Sequence, residues 1–327
     1  MQGIYSLAIS ACATLDLHSL NNEGGEGNQI QTRMVNIVSQ DGRLENVNAI
    51  SGDMWKHIQA EHLLHLAKTD SDCKLCAGCQ LLDANRISAD SDFIAQMEDK
   101  TVSDAKGTDL LLQSCAVDDL EGNLITSGGR SLPRKSVVEF GWVVGRPDTT
   151  TTESYFHVKY ARERGKEQLK ADSEEGARGS NLGQNIFHRP ASSGQYAVVA
   201  NLEAARIGFN DITQRYAIDD DRRRARFRLL LQSVLYTFLQ PNGAMRNTQN
   251  PHIVGLEGVV SLSRGPMPAP TVSPLRGDYQ EQIVAIVQNL APLHQGSIEV
   301  QPFQSLADFT AVMTQLVESE SPYSLSY

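Results

Sequence analysis

Three thiols fall within seven residues at Cys73-x-x-Cys76-x-x-Cys79, a spacing that can wrap one tetrahedral metal ion. A histidine from the preceding helical stretch would complete a Cys₃His site. His65 is favoured over His62 because it lies nearer the turn, and Cys115 is an alternative fourth ligand. Four protein ligands leave no open position for water, so the expected ion is one structural zinc per chain. The competing reading is three reduced thiols in a tight loop, beside a histidine that only packs. A second feature is the amide- and glycine-rich stretch Leu17–Val38. Gly24, Gly25 and Gly27 can take positive φ and expose their N–H groups, while Asn21, Asn22, Asn28 and Gln29 can hydrogen-bond phosphate, ribose hydroxyls or base edges. Arg33 closes the stretch with a single cation. This is donor chemistry without a nucleophile, as in a binding loop; an ordinary surface loop has a similar composition.

Further cations are dispersed. Gly128-Gly129-Arg130 and Arg134-Lys135 precede an alternating stretch, where a flexible turn would set them at a sheet edge, and Asn242-Gly243-Ala244-Met245-Arg246-Asn247 forms another small-residue loop. The run Arg222 to Arg228 could be a phosphate stripe. The apolar face begins only at Phe227 and aspartates precede the run, so a solvated helix face neutralised by those aspartates is expected instead. Catalytic patterns such as GxSxG, HExxH, the P-loop and GxGxxG are missing. Glu23 and Glu26 with His18 are the remaining set that could hold a divalent ion for phosphodiester cleavage.

The elements that must position these groups follow from hydrophobic period. Tyr5, Leu7, Ile9, Ala11, Ala13, Leu15 and Leu17 alternate with polar residues, predicting a half-buried strand. A helix follows from Ser51-Gly52-Asp53, with Asp53 as the expected N-cap, to about Lys68. Val138, Phe140, Trp142 and Val144 make a second strand, and Tyr196 to Ala204 a third. Phe227, Leu230, Leu231, Val234, Leu235 and Phe238 define a strongly amphipathic helix, and Val254 to Leu262 a fourth strand. The order strand, helix, strand, strand, helix, strand is the split βαβ of an α+β, ferredoxin-like βαββαβ fold. The chain divides into 1–68 (strand, loop, helix), 69–132 (an insertion with the cysteines and weak structure of its own) and 133–144 (a strand). It continues with 145–194 (a charged, mobile projection), 195–263 (the second half of the fold) and 264–327 (a proline-rich connector and closing helices).

A length of 327 residues and 40% hydrophobic content suffice for one core with large insertions, and no apolar run approaches the ~20 residues that span a bilayer. The N-terminus lacks a basic region and a solid apolar block, which argues against a signal peptide. Five cysteines with this crowding fit a reducing cytoplasm. Net charge of -10 argues mildly against a nucleic-acid binder unless cations gather locally.

Ser19-Leu20-Asn21-Asn22-Glu23-Gly24, followed by Glu26-Gly27-Asn28 and Thr32-Arg33-Met34-Val35, resembles the start of the DevR-type backbone subunit of the type I CRISPR Cascade effector complex, in the RAMP superfamily. The likeness is specific there and looser over the remaining core. It implies a ferredoxin-like, RNA-recognition-motif-like palm with large finger and thumb insertions, polymerising along a guide RNA. It further implies that Lys56 and His57, at the helix start, face that RNA. The expected RNA-binding set is then Asn21, Asn22, Asn28, Gln29, Arg33, Lys56, His57, Arg130, Arg134, Lys135, Arg246 and Asn247. Related type III subunits cleave with an aspartate in a comparable loop, where this chain has Asn21 and Asn22, so no catalytic residue is expected. The implied partners are CRISPR guide RNA, target DNA paired to it, further copies of the chain and other Cascade subunits, with no membrane. Two alternatives stay open: a metal-dependent nuclease or RNA-processing enzyme on the same palm, and a zinc-containing transcriptional regulator.

Overall fold

The structure, a computed structural model, describes residues 3–160, 184–294 and 297–326. Ser6–His18 is the spine of an 11-stranded sheet. It pairs antiparallel with His252–Ser263 on one side and Gln184–Leu202 on the other. Beyond the first lies Ile298–Phe303; beyond the second come Val143–Gly145, Leu44–Ile50 and Met34–Val38. Val138–Phe140 also pairs with Gln184–Leu202. The chain is therefore mixed α/β around a large antiparallel sheet. Among the described residues no helix is long and apolar enough to cross a membrane.

Leu7, Ile9, Ala11, Ala13 and Leu15 are buried in the main core with the inward residues of helices Gly52–Ala67, Asp220–Leu239 and Leu306–Ser319. Trp55, Phe238, Phe309 and Phe303 join these elements through ring contacts with centroids 4.9 to 5.8 Å apart, the geometry that adds ~0.5–1.5 kcal/mol per pair beyond area burial. The spine strand is buried on both faces for much of its length, where alternation predicts one. Ser6 Oγ donates to Met267 O (3.0 Å) and accepts from Ala269 N (2.8 Å), and Ser10 Oγ accepts from Val272 N (3.3 Å). The proline-rich connector thus lies across the second face. Pro266, Pro268, Pro270 and Pro274 remove some of its N–H groups, and strand hydroxyls satisfy some of the rest.

Several expectations change. Ser51, not Asp53, caps the first helix, its Oγ accepting from Met54 N at 3.1 Å, because Asp53 already lies in the first turn. The 69–132 stretch is not weakly structured: helices Ala77–Gln80, Ser91–Glu98, Asp104–Ser114 and Ala116–Glu121 place Phe93, Met97, Leu111 and Leu112 in the main core. Within 145–194, Thr151–Tyr160 forms an antiparallel hairpin with the first half of Gln184–Leu202, so that part is regular β-structure. The charged run 161–183 lies outside the described residues.

The arginine run also departs from a solvated face. Arg222, Arg224 and Arg228 are at least partly exposed, but Arg223 and Arg226 are buried. Arg226 Nη1 donates to Asp119 Oδ2 at 2.6 Å, and Arg134 Nη2 donates to Asp119 Oδ1 at 2.6 Å. Gly208 N adds a third donor to Asp119 at 3.0 Å. One carboxylate therefore joins the inserted helices, the strand edge and the second long helix. Among the described residues Arg226 Nε and Nη2 have no hydrogen-bond partner, so Asp119 is what compensates this buried cation. Asp119→Asn should lower unfolding stability by ~3–5 kcal/mol, the cost of stranding a buried charge. Urea unfolding checks this; a loss under about 1 kcal/mol is what an exposed pair would give.

Candidate nucleic-acid interface and metal centre

The Leu17–Val38 stretch is mostly β-structure, with strands at Asn22–Glu26, Gln29–Thr32 and Met34–Val38, and not an irregular loop. Asn22–Glu26 and Gln29–Thr32 form a hairpin that turns at Gly27, whose φ is 59°. Its base is fixed from below. Asn21 is buried and its Oδ1 accepts from Ser51 N at 2.7 Å, tying the hairpin to the first helix's N-terminus. Asn48 Nδ2 donates to Thr32 Oγ1 (3.1 Å) and Arg33 O (3.0 Å), and Tyr196 Oη donates to Asn48 Oδ1 at 2.8 Å. His18 packs edge-on against Tyr196, and burial holds its imidazole down to about 4, so it is neutral at neutral pH.

Around this base the dispersed segments converge. Ala244 N donates to Leu20 O at 3.0 Å, Arg189 Nη1 to Thr248 Oγ1 at 3.0 Å, and His188 N to Asn28 O at 2.8 Å. The hairpin, the 241–249 loop and the Thr151–Tyr160 ribbon thus share one rim of the sheet. Asn28 and Gln29 are exposed at the hairpin tip. Asn21 and Asn22 are instead engaged in the base, Asn22 Oδ1 accepting from Ser19 Oγ at 2.6 Å. Arg33 Nε lies 2.7 Å from Glu23 Oε1, and its guanidinium sits over the Trp142 ring at 5.5 Å. Trp142, Lys56 and Lys135 line a cleft of about 340 Å³ with Gly52, Asp53 and Glu139.

The other expected cations divide by burial. Lys135 is exposed, 3.2 Å from Glu139, and Arg246 is half exposed, 3.1 Å from Glu61. His57 and Asn247 are exposed. Lys56 is partly buried, donating to Glu121 O at 3.0 Å. Burial lowers its pKa, which the Glu121 carboxylate opposes. Arg134 is a correction: its donors go to Asp119, Phe209 O and Arg206 O inside the protein, leaving none for a phosphate. Arg130 is another, because it staples a turn by donating to Met97 O, Asp99 O, Val102 O and Asp104 Oδ1. Glu23 is taken by Arg33 and Glu26 accepts from Gln31 Nε2 at 3.2 Å, while His18 lies buried beneath them.

The thiols assemble differently from their spacing. Cys76, Cys79 and Cys115 come together with Asp118, their ligand atoms all within 4.8 Å of one another and every residue buried. Cys73 is buried outside this group, and His65 points to solvent from the exposed side of its helix. Cys115 and Asp118 replace them because the Asp104–Ser114 and Ala116–Glu121 helices fold back over the Cys76–Cys79 turn. That turn is tight: a side chain at Gly78 would collide with the Arg86 backbone.

Burial pushes Asp118 up to about 7 and raises Cys115, whereas hydrogen bonds from Cys115 and Cys79 pull Cys76 down to about 5. Three sulfurs and one carboxylate oxygen at this separation fit a closed tetrahedral site after slight contraction. Asn123 Nδ2 donates to the far Asp118 oxygen at 2.6 Å, orienting the carboxylate. The set is compatible with a structural metal.

The family profile described as CRISPR-associated negative auto-regulator DevR/Csa2 matches residues 9–284. The chain belongs to this family. No curated protein matches it. Among solved structures, a chain of a CRISPR RNA-guided surveillance complex, pre-nicking, is similar with a TM-score of 0.52 at 12% identity, covering 96% of this chain and 99% of that one. That likeness shows a shared fold. A chain of another CRISPR RNA-guided surveillance complex gives 0.47 at 13% identity, covering 96% and 99%. Csc2 of Thermofilum pendens gives 0.39 at 12%, covering 97% and 85%.

This DevR/Csa2-family chain makes a specific forecast about its thiols. Protein purified without chelator should carry about one zinc per chain, and Cys115→Ser or Asp118→Ala should lower zinc content and melting temperature together, since structural metal binding is folding energy. Cys73→Ser and His65→Ala should keep full metal content. Elemental analysis of the four variants separates this set from the Cys73 and His65 set.

Proposed function

We propose that this chain is a non-catalytic subunit of a Cascade-type CRISPR effector that lines a guide RNA in several copies, holding its backbone while the bases pair with target DNA. Family membership and the surveillance-complex fold support an effector subunit. The strand order His252–Ser263, Ser6–His18, Gln184–Leu202, Val138–Phe140, with helices Gly52–Ala67 and Asp220–Leu239 on one face, supports a ferredoxin-like palm. On this reading 69–132 is a metal-stapled finger, and 145–194, of which Thr151–Tyr160 and the start of Gln184–Leu202 form a ribbon, is the thumb.

The observation that carries the proposal is convergence: segments far apart in sequence bring Asn28, Gln29, Arg33, Lys56, His57, Lys135, Arg246 and Asn247 to the surface around the hairpin rim. Such a rim reads phosphate, ribose and shape, with sequence delegated to base pairing. Two observations support catalytic silence: the hairpin carboxylates are already engaged, and Asn21 and Asn22 serve the fold.

Binding to two unrelated single-stranded RNAs across a salt series tests this. Arg33→Ala and Lys135→Ala should each weaken both RNAs similarly, by up to ~1.5–3 kcal/mol, less what the Glu23 and Glu139 pairs already screen. Each should also flatten the salt slope by ~0.7. Arg224→Ala, on the solvated side of the second long helix, should change little. If Arg224→Ala collapses binding while Arg33→Ala does not, the RNA path lies along that helix and the rim is misassigned. Tight binding to one duplex DNA site in preference to RNA would favour a regulator, and magnesium-dependent cutting a nuclease.

A further inference from the structure

Trp142, which stacks under Arg33 and lines the cleft, has no part in the RNA contacts proposed so far. The chain holds two tryptophans. Trp55 is 1% exposed and packs on Phe238 in the core, whereas Trp142 is 43% exposed at the rim. A large aromatic ring left open to water just before the buried strand residue Val143 offers a stacking face to whatever binds at the rim. Its surroundings indicate what. The Arg33 guanidinium lies over the ring, and that contact orients the indole. The cleft beside it is lined by Lys56, Lys135, Ser136, Asp53 and Glu139; Lys56 already donates to Glu121 O and Ser136 Oγ to Leu120 O and Val138 O, which leaves Lys135, Asp53 and Glu139 as its exposed charged groups.

These groups are mixed in sign, so the cleft is a poor trap for phosphate alone. A flat, apolar platform flanked by both a cation and acceptors instead matches the π-face and the polar edge of a nucleobase: the carboxylates accept from exocyclic amines, and the exposed Lys135 ammonium donates to ring carbonyls and nitrogens. The cleft volume of about 340 Å³ is at the small end of ligand sites, where one base fits and a duplex does not.

We infer that the Trp142 cleft receives one unpaired nucleobase of the bound RNA, stacked on the indole, with Lys135 and Glu139 at its edge. This rests on the RNA-binding reading above. It adds a base contact beside the phosphate contacts proposed for Arg33 and Lys135.

Both tryptophans emit, but only Trp142 is open to solvent, so the acrylamide-quenchable part of the emission reports on Trp142. Full-length protein is titrated with a fluorescein-labelled single-stranded RNA of mixed sequence, following label anisotropy for binding, tryptophan emission for stacking, and acrylamide quenching for access. Binding should quench the emission and protect it from acrylamide, and an oligomer of the same length with abasic sites should bind without either effect. Trp142→Phe, which keeps a platform, should bind within about threefold of wild type. Trp142→Ala should weaken binding about tenfold or more, with the salt slope unchanged since no phosphate contact is removed. Circular dichroism of both variants confirms folding. RNA binding that leaves emission and acrylamide access unaltered overturns this inference and leaves the RNA-binding reading intact. Equal emission changes with the abasic oligomer overturn it too, assigning the ring to the sugar-phosphate chain. If wild type binds no RNA by anisotropy, the RNA-binding reading and the base site fall together.

Discussion

Helix Ala116–Glu121 buries all six of its residues, and three of them are carboxylates. Removing a carboxylate from water costs several kcal/mol unless a partner compensates, so each of the three dictates what must be built around it. Asp118 faces the thiols of Cys76 and Cys79, Asp119 is clamped by Arg134 and Arg226, and Glu121 lies 3.9 Å from the Lys56 ammonium. Neighbouring carboxylates thus take a metal-type donor set, a pair of guanidiniums and an ammonium as partners. Through them the insertion, the second long helix and the start of the first helix are held to one short element, which is why 69–132 is continuous with the main core.

A second constraint shapes the rim. A surface that contacts a long ligand must expose polar groups, yet their spacing has to stay fixed. The base of the hairpin meets this by burying the polar groups that do not contact solvent: Asn21, Asn48 and His18 are enclosed, with Tyr196 linking Asn48 to the His18 ring. A neutral His18 is part of that arrangement, since a charged imidazole in this setting would carry an uncompensated desolvation cost. The exposed tip at Asn28 and Gln29 is then presented on a rigid stem, braced sideways by the bond from His188 N to Asn28 O.

What the sequence reveals and what it conceals follows from the range of the interactions. Alternation from Tyr5 to Leu17 and the apolar stripe from Phe227 to Phe238 are legible because burial on one side repeats at the local period. The second burial of Ser6 and Ser10 is not, since it depends on a connector some 260 residues away. Arg223 and Arg226 look solvated because aspartates sit beside them in sequence, but the partner that draws Arg226 inward is Asp119, 107 residues distant. Cys73 shares the CxxC spacing and still falls outside the cluster, because Asp118 and Cys115 arrive from a separate helix to take the remaining positions. The signal that was available is the run Cys115-Ala116-Val117-Asp118-Asp119-Leu120-Glu121, where acidic residues interrupt an otherwise apolar stretch. Acidic residues spaced so that they cannot all face water are a sign of buried partners.

The same helix makes the 69–132 stretch and the rim energetically dependent on each other. An ion held by Cys76, Cys79, Cys115 and Asp118 would favour the charged form of Asp118, which burial and the neighbouring Cys115 push up to about 7, at one end of Ala116–Glu121. At the other end Lys56 reaches the Glu121 carbonyl and carboxylate while also lining the Trp142 cleft. Burial raises Glu121 and lowers Lys56, and their mutual attraction opposes both shifts, so the Lys56 charge at the rim depends on Glu121 staying where it is. A helix of six residues has no independent stability with which to hold that position. It is held by its ends, and the placement of the Lys56 cation at the cleft is therefore set in part by the donor set at the far end.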